Sequence, residues 1–428
     1  ADGGVSGVGL SDLDLDGAEL GGAVTWVAPS DTSQLLTYAV YMATGSDGTG
    51  RVQVGGAVAL HTNAIDLPVD TPLGSFLHVV VYSASALGEQ TTPAAAALAD
   101  AWASAADVAF TDRDLDGGEL GGAVTWSASG NSLLVQSYRA FLATDVTGTS
   151  RSQLGVDIQS GTNSLQVPVD TPKDAHAHVV VYAASTLAEQ STPTFQAISD
   201  ASQSASSVSF TDLDLDMSEV GGTVGWSEPL LTSEVTHYTA YLASSDVGAS
   251  RSLIGTDLMG VVEGTSEIGL QADTPISSHT HVVVFTRSSL AEQTTPAALP
   301  LVDQTADVTG ISFDDLDADA GDIGGTLTWV PPSDASLVSH HVAYLAAGAA
   351  AGVSRSQLEA DIEVGTNTLA IFIDTACTGY SHIAVHERSA LAEQTTPAGV
   401  AVLQDLDGSV LGLTFGDRDF DLAQIGGG

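Results

Sequence analysis

The sequence predicts an all-β fold: four antiparallel β-sandwiches in tandem, followed by the start of a fifth. Three observations predict it. Trp26, Trp126, Trp226 and Trp329 recur at spacings of 100, 100 and 103 residues, and Glu89-Gln90, Glu189-Gln190, Glu292-Gln293 and Glu393-Gln394 keep the same step. Similarity at a fixed period marks a repeat architecture before any local assignment is made. Short β-branched and aromatic runs alternate with Gly, Pro and Asp turn signals, as in an antiparallel sandwich. No segment carries a sustained helical period; the Ala-rich pieces at 94–106 and 297–306 are expected to form at most a helical turn. The units are placed at 1–103, 104–203, 204–306 and 307–405, with 406–428 supplying the first strand and acidic loop of a fifth.

Each unit reads in the same order. A short apolar strand leads into D-x-D-x-D-x-x-[ED]-[LVI]-G-G, then a strand ending in Trp, a Ser/Asp/Pro loop, and a strand opened by an aromatic (Tyr38, Tyr138, Tyr238). A Gly/Ser-rich stretch follows, then a D-T turn, a run such as His78-Val-Val-Val-Tyr82, and L-[GA]-E-Q-[TS]-T-P. In the fifth unit Leu411–Phe415 begins the pattern, Asp417, Asp419 and Asp421 follow, and Gln424 stands where the last acid is expected. Continuation of the array beyond 428 is expected; the alternative is that 408–428 complete a neighbouring subunit by strand addition.

Composition excludes several classes of function. The chain has 428 residues, 53 Asp+Glu against 10 Lys+Arg, and a net charge of −43. Such a field repels nucleic acid and anionic membrane and favours cations. With 43% hydrophobic residues the chain nonetheless has enough apolar area to fold. Cys377 is the only cysteine, so no intrachain disulfide forms. No run of 18 apolar residues is present, so no membrane insertion is expected, and the start at Ala1 reads as a mature or excised segment.

The acidic segment is the one constellation with recognisable chemistry. Its members are Asp12, Asp14, Asp16 and Glu19; Asp112, Asp114, Asp116 and Glu119; Asp212, Asp214, Asp216 and Glu219; and Asp315, Asp317, Asp319 and Asp322. Ca²⁺ takes six to eight hard oxygens at about 2.3–2.6 Å, and alternate carboxylates on a curled loop can supply most of them. On a straight strand the same carboxylates would sit about 6.5 Å apart, too far for one ion. Leu13 and Leu15 alternate with the aspartates, which equally fits a strand with Leu inward and Asp in water. Asp70, Asp170, Asp273 and Asp374 of the D-T turns either approach the acidic loop or bond their own backbone.

T-W-V-P-P-S-D-A-S-L-V-S-H-H-V-A-Y at 328–344 resembles the B-to-C segment of fibronectin type III modules, a group of immunoglobulin-like sandwiches. The later L-P-V-D-T-P, H-V-V-V-Y and G-E-Q-T-T-P of 67–93 are similar to that family's E–F turn, F strand and F–G loop. The F-strand tyrosine position holds His78, His178, His281 and His382, and the acidic A–B segment is foreign to the family pattern. The acidic spacing looks like the calcium loops of thrombospondin type 3 repeats. The D-L-D-x-D and L-G-G-T-V-T-W repeats also resemble those of very large surface proteins of unicellular algae and protists. The resemblance implies that the A–B segment and E–F turn lie at the pole where the next unit docks.

Other candidates carry less. His176 with His178 and His279 with His281 share a strand face, but two imidazoles without a third ligand make no zinc site. The E-Q-T-T-P loop reads as a turn closed by Thr hydroxyls. Arg51, Arg151, Arg251 and Arg355 are expected to pair with acidic loops of adjacent units or other chains. Val79-Val80-Val81 is apolar on both faces, so linker residues, a neighbouring unit or another chain should cover the second face. Nucleophile elbows, H-E-x-x-H and phosphate loops are absent, and no enzyme is expected. No N-x-[ST] sequon occurs, which leaves O-glycans as the glycan class to consider. The functional expectation is a structural segment of an extracellular filament or long cell-surface appendage. It would be stiffened by Ca²⁺ and partnered by further repeats or copies of itself; the alternative is an adhesin or carbohydrate-binding array.

Overall fold

The computed structural model describes residues 4–255, 260–350, 352–408 and 411–414. Two compact units result: 1–203 with 233–235 and 287–293, and 204–232 with 236–286 and 294–428. The acidic residues of the fifth copy, Asp417, Asp419 and Asp421, lie outside the described residues, and the described residues 411–414 pair with no strand.

The first repeat sets the pattern. β1 (Ser6–Leu10), β2 (Glu19–Val27) and, later in the chain, Ala64–Pro72 form one antiparallel sheet. β3 (Leu35–Ala43) is the centre of the second. On one edge it pairs with β4 (Val52–Gln53) and β5 (Val58–Ala59); β6 (Ala64–Pro72) then returns to the first sheet. β7 (His78–Ser85) pairs with the other edge of β3, and β8 (Gly88–Glu89) and β9 (Ala94–Ala97) pair with β7. A three-stranded sheet thus faces a sheet built around β3 and β7, the fibronectin type III-like, immunoglobulin-like sandwich. The other three repeats have the same strand order, with sheets centred on Glu119–Gly130 and Ser137–Ala143, on Glu219–Ser227 and Val235–Ala243, and on Asp322–Val330 and His340–Ala346.

Alternation makes these strands two-faced and decides what each side packs against. On β2, Leu20, Val24 and Trp26 are buried; on β3, Tyr38, Val40 and Met42; on β7, Val79 and Val81, all in one core. Trp26 meets Tyr38 edge to face with centroids 5.4 Å apart. The equivalent core of the second repeat contains Leu120, Val124, Trp126, Tyr138, Val179 and Val181, together with Leu15 from the first.

Within the Ala-rich segments, Ala94–Ala97, Ala103–Phe110 and Ala297–Pro300 form strands and no helical turn. Ala94 to Ala97 pair with Val81 to His78 in antiparallel register, and Ala103–Phe110 is an eight-residue strand. Alanine's helix propensity is a weak preference that tertiary pairing overrides. The second face of β7 is covered from within its own repeat. Val80 and Tyr82 are buried beside Ala43, and the Arg51 guanidinium lies 4.5 Å from the Tyr41 centroid and 4.3 Å from that of Tyr82. Arg51 then pairs with Glu89 at 2.7 Å, Arg151 with Glu189 at 2.7 Å and Arg355 with Glu393 at 2.9 Å, each inside one repeat and not with an acidic loop. A planar guanidinium can stack on rings and still donate to a carboxylate in its plane, which explains why Arg and not Lys recurs there.

Candidate cation site at the repeat joint

The acidic segment is a curled loop, and the curl is made by its own carboxylates. In the first repeat Asp12 Oδ1 accepts the amides of Asp14 (3.2 Å) and Gly21 (3.0 Å), while its Oδ2 accepts that of Ala101 (3.0 Å). Asp14 Oδ1 accepts the amide of Asp16 (3.0 Å), and Asp14 Oδ2 that of Asp70 (2.7 Å) in the D-T turn. The D-T aspartates therefore approach the loop, and Asp70 does so through its backbone N–H with φ at 57°. Two glycines make room. A Cβ on Gly22, whose φ is 126°, would sit 2.3 Å from the Ser11 carbonyl oxygen, and one on Gly21 would meet the Val69 backbone at 3.1 Å.

Asp16 reaches the next repeat. Its carboxylate accepts the amides of Ser191 (2.6 Å) and Thr192 (3.1 Å) and the Thr192 hydroxyl. The residues on either side of Asp14 add to the joint. Ser185 Oγ donates to the Leu13 carbonyl (2.6 Å), Gln190 Nε2 donates to that of Leu15 (3.2 Å), and Leu187 packs against Gly21. In the second unit Asp216 accepts the amides of Thr395 (2.7 Å) and Thr396 (2.9 Å), and Gln394 Nε2 donates to the Leu215 carbonyl (2.7 Å). The E-Q-[TS]-T loop is thus a latch on the preceding acidic loop, and not merely a turn. Its signal in the sequence was that both halves recur at one period, each matching the other.

A further set of aspartates went unnoticed in the sequence: Asp100, Asp200, Asp303 and Asp405 accept amides from Ala18 (2.7 Å), Gly118 (2.9 Å), Ser218 (2.9 Å) and Gly321 (2.9 Å). They too recur at the repeat step.

The acidic residues divide by role. Asp14, Asp16, Glu19 and Asp70 each present a carboxylate oxygen, all within 4.8 Å of one another, as do Asp114, Asp116, Glu119 and Asp170, and Asp214, Asp216, Glu219 and Asp273. Oxygens on opposite sides of one Ca²⁺ stand about 4.6–5.2 Å apart, so such a group fits a single ion. The Oε2 atoms of Glu19 and Glu119 are buried without a hydrogen-bond partner, so each has lone pairs to offer a cation. Asp12, Asp112 and Asp212 stand outside the groups, their carboxylates occupied by backbone amides. Among the described residues, the fourth repeat's Asp315, Asp317, Asp319 and Asp322 form no such group.

Electrostatics follow the geometry. Burial pushes the Asp212 carboxyl up to about 6, and raises Asp12 and Asp112 in the same direction. Glu19 is raised by burial and then by the facing carboxylates of Asp16, Asp70 and Asp14; Glu119 and Glu219 follow the same causes. His176 contacts the Lys173 carbonyl (3.0 Å) and His279 that of Ile276 (2.9 Å), each holding the turn before its strand.

No family model and no curated protein matches the sequence. Among solved structures, the chain is similar to the chicken CNTN1 FN1–FN3 domains, at 13% identity and a TM-score of 0.22, covering 71% of this chain and 99% of that one. A three-domain segment of titin is matched at 9% identity and a TM-score of 0.24, covering 70% and 98%. Among the described residues, no helix is long and apolar enough to cross a membrane.

Proposed function

We propose that the chain is a non-enzymatic structural segment of an extracellular filament or long cell-surface appendage, in which Ca²⁺ bound at the acidic loops stiffens the joints between repeats. One observation carries the reading. Asp16 belongs to the four-carboxylate group and also holds the amides of Ser191 and Thr192 in the following repeat. A cation on that group neutralises the crowded charge and fixes the residue that grips the next sandwich. Ligand groups at each site are Asp14, Asp16, Glu19 and Asp70 or their counterparts, which are hard oxygen donors suited to Ca²⁺.

Repetition supports an architectural role, since the chemistry-bearing residues recur in each repeat instead of meeting in a single pocket. The test is thermal unfolding in chelator and then in Ca²⁺ at fixed ionic strength. Specific binding raises the transition by mass action and monovalent salt at the same ionic strength does not. Identical transitions in the two buffers would refute the stiffening role.

A further inference from the structure

One latch rests on a titratable ring. In the fourth repeat His386 occupies the strand position of Tyr82, Tyr182 and Phe285, and it is 3% exposed. The Gln394 carbonyl lies 3.0 Å from His386 Nδ1. A carbonyl can only accept, so Nδ1 carries the proton and donates. Gln394 is the centre of the latch on the third repeat: its Oε1 accepts the Glu387 amide (2.8 Å), and its Nε2 donates to the Leu215 (2.7 Å) and Ala306 (3.1 Å) carbonyls. The next two residues, Thr395 and Thr396, hold Asp216 through their amides. One imidazole thus anchors the backbone of the residue that ties these two repeats together.

The surroundings suit a neutral ring. From the strand Arg355–Gln357 the Arg355 guanidinium lies against it, with Nη1 3.0 Å from Nε2 and 3.3 Å from Nδ1. From the strand His340–Ala346, Tyr344 meets it edge to face at 5.4 Å. Glu393 in the F–G loop faces it too, but that carboxylate is taken by Arg355 (2.9 Å), Arg388 (2.7 Å) and the Tyr344 hydroxyl (2.9 Å). Across the joint stands Asp216, which the ring reaches through the F–G loop. Glu387, the next residue on its own strand, is bound to His341 in the core. Among the described residues His386 Nε2 contacts no acceptor, so a second proton there would place an imidazolium about 3 Å from a guanidinium. Burial holds the ring below the ordinary histidine value; Arg355 acts in the same sense, and Gln394, Glu393 and Asp216 oppose it.

We infer that His386 makes the joint between the third and fourth repeats acid-sensitive: a proton on Nε2 drives the ring away from Arg355 and the Gln394 carbonyl, and the latch on Asp216 opens. The latched state binds fewer protons at His386 than a released state with the ring in water. Release is therefore favoured as pH falls below about 6.5, and levels off once the latched ring is protonated as well. Asp212 of the third repeat works in the opposite sense, so the histidine must be read by difference. The device rests on the buried ring and not on the cation reading, and chelator throughout the test keeps the two apart.

Hydrogen exchange of the full 428-residue chain tests this at about pH 7.5 and about pH 5.5, on either side of the free histidine value. Protection of the Thr395 and Thr396 amides, corrected for intrinsic exchange, is compared with that of the Ser191 and Thr192 amides, which grip Asp16 in a repeat that has Tyr182 at this position. On acidification Thr395 and Thr396 should lose about tenfold in protection for each pH unit by which the latched ring is lowered, and Ser191 and Thr192 should not share that loss. His386→Tyr and His386→Phe install the side chains of the other repeats, and each should abolish the excess loss. A parallel change at both latches in the wild type, or an excess that survives in either variant, overturns the inference.

Discussion

Asp16 shows how much one carboxylate does in this protein: it is 3% exposed, shares a site with three other acids, and accepts three hydrogen bonds from the following repeat. Bonds to a charged acceptor contribute about 1.5–3 kcal/mol each, with losses that do not add. Asp16→Ala is therefore expected to lower the denaturant stability of the first joint by about 2–4 kcal/mol; a change within error would mean that the amides find water equally well. Asp212 gives the pH dependence. Its folded value of about 6 lies above the ordinary carboxylate value of 3.8, so between those values the folded state binds more protons than the unfolded one. Stability then falls as pH rises from about 4 to 6, and levels off above. Asp212→Asn should flatten that slope in chelator, as read from urea midpoints; an unchanged slope would assign it to other groups.

The fourth repeat departs from the others at one core pair. His341 stands where Tyr38, Tyr138 and Tyr238 stand, and its Nδ1 is 2.7 Å from Glu387, both side chains being fully buried. Register places Glu387 opposite His341 as Ser83 stands opposite Tyr38. A buried ionisable pair is often less stable than its neutral replacement, by about 1–4 kcal/mol. The double change His341→Tyr with Glu387→Ser should stabilise the repeat, judged by its unfolding midpoint, and a lower midpoint would show that the pair is net favourable.

At the scale of elements, the acidic loop does what neither simple sequence alternative described. The aspartates are not spread along a solvated strand, and Leu15 does not face its own core. It enters the core of the second repeat beside Val135, Ala103 and Ala105. Leu15→Ala should cost about 2–5 kcal/mol, felt by the second repeat's transition; loss confined to the first repeat would contradict the assignment. The strands themselves were legible because Leu20, Val24 and Trp26 alternate on one face, a local pattern that any sandwich must satisfy. The acidic residue types and their spacing were legible too. What was not legible is the division of labour between Asp12, spent on the Ala101 and Gly21 amides, and Asp14 and Asp16, since that depends on which backbone groups the curl brings near. The cover over Val80 was likewise hidden. Val80 packs with Tyr82 and Ala43, and the rings of Tyr41 and Tyr82 on that side are capped by Arg51, a long-range contact about which periodicity carries no information.

For the whole molecule, the net charge of −43 is tolerable because the carboxylates are concentrated where amides and, by this account, cations meet them. The fourth repeat's Asp319 is exposed, and no four-carboxylate group forms around it among the described residues, whereas Asp16 and Asp216 are clamped by the following repeat and lie in such groups. Equilibrium dialysis of the dilute chain against Ca²⁺ therefore measures the central claim directly. Three saturable sites per chain are expected, one for each group, falling to none when Glu19, Glu119 and Glu219 are all changed to Gln. Diffuse uptake that never saturates and follows ionic strength alone, unchanged by the triple substitution, would contradict it.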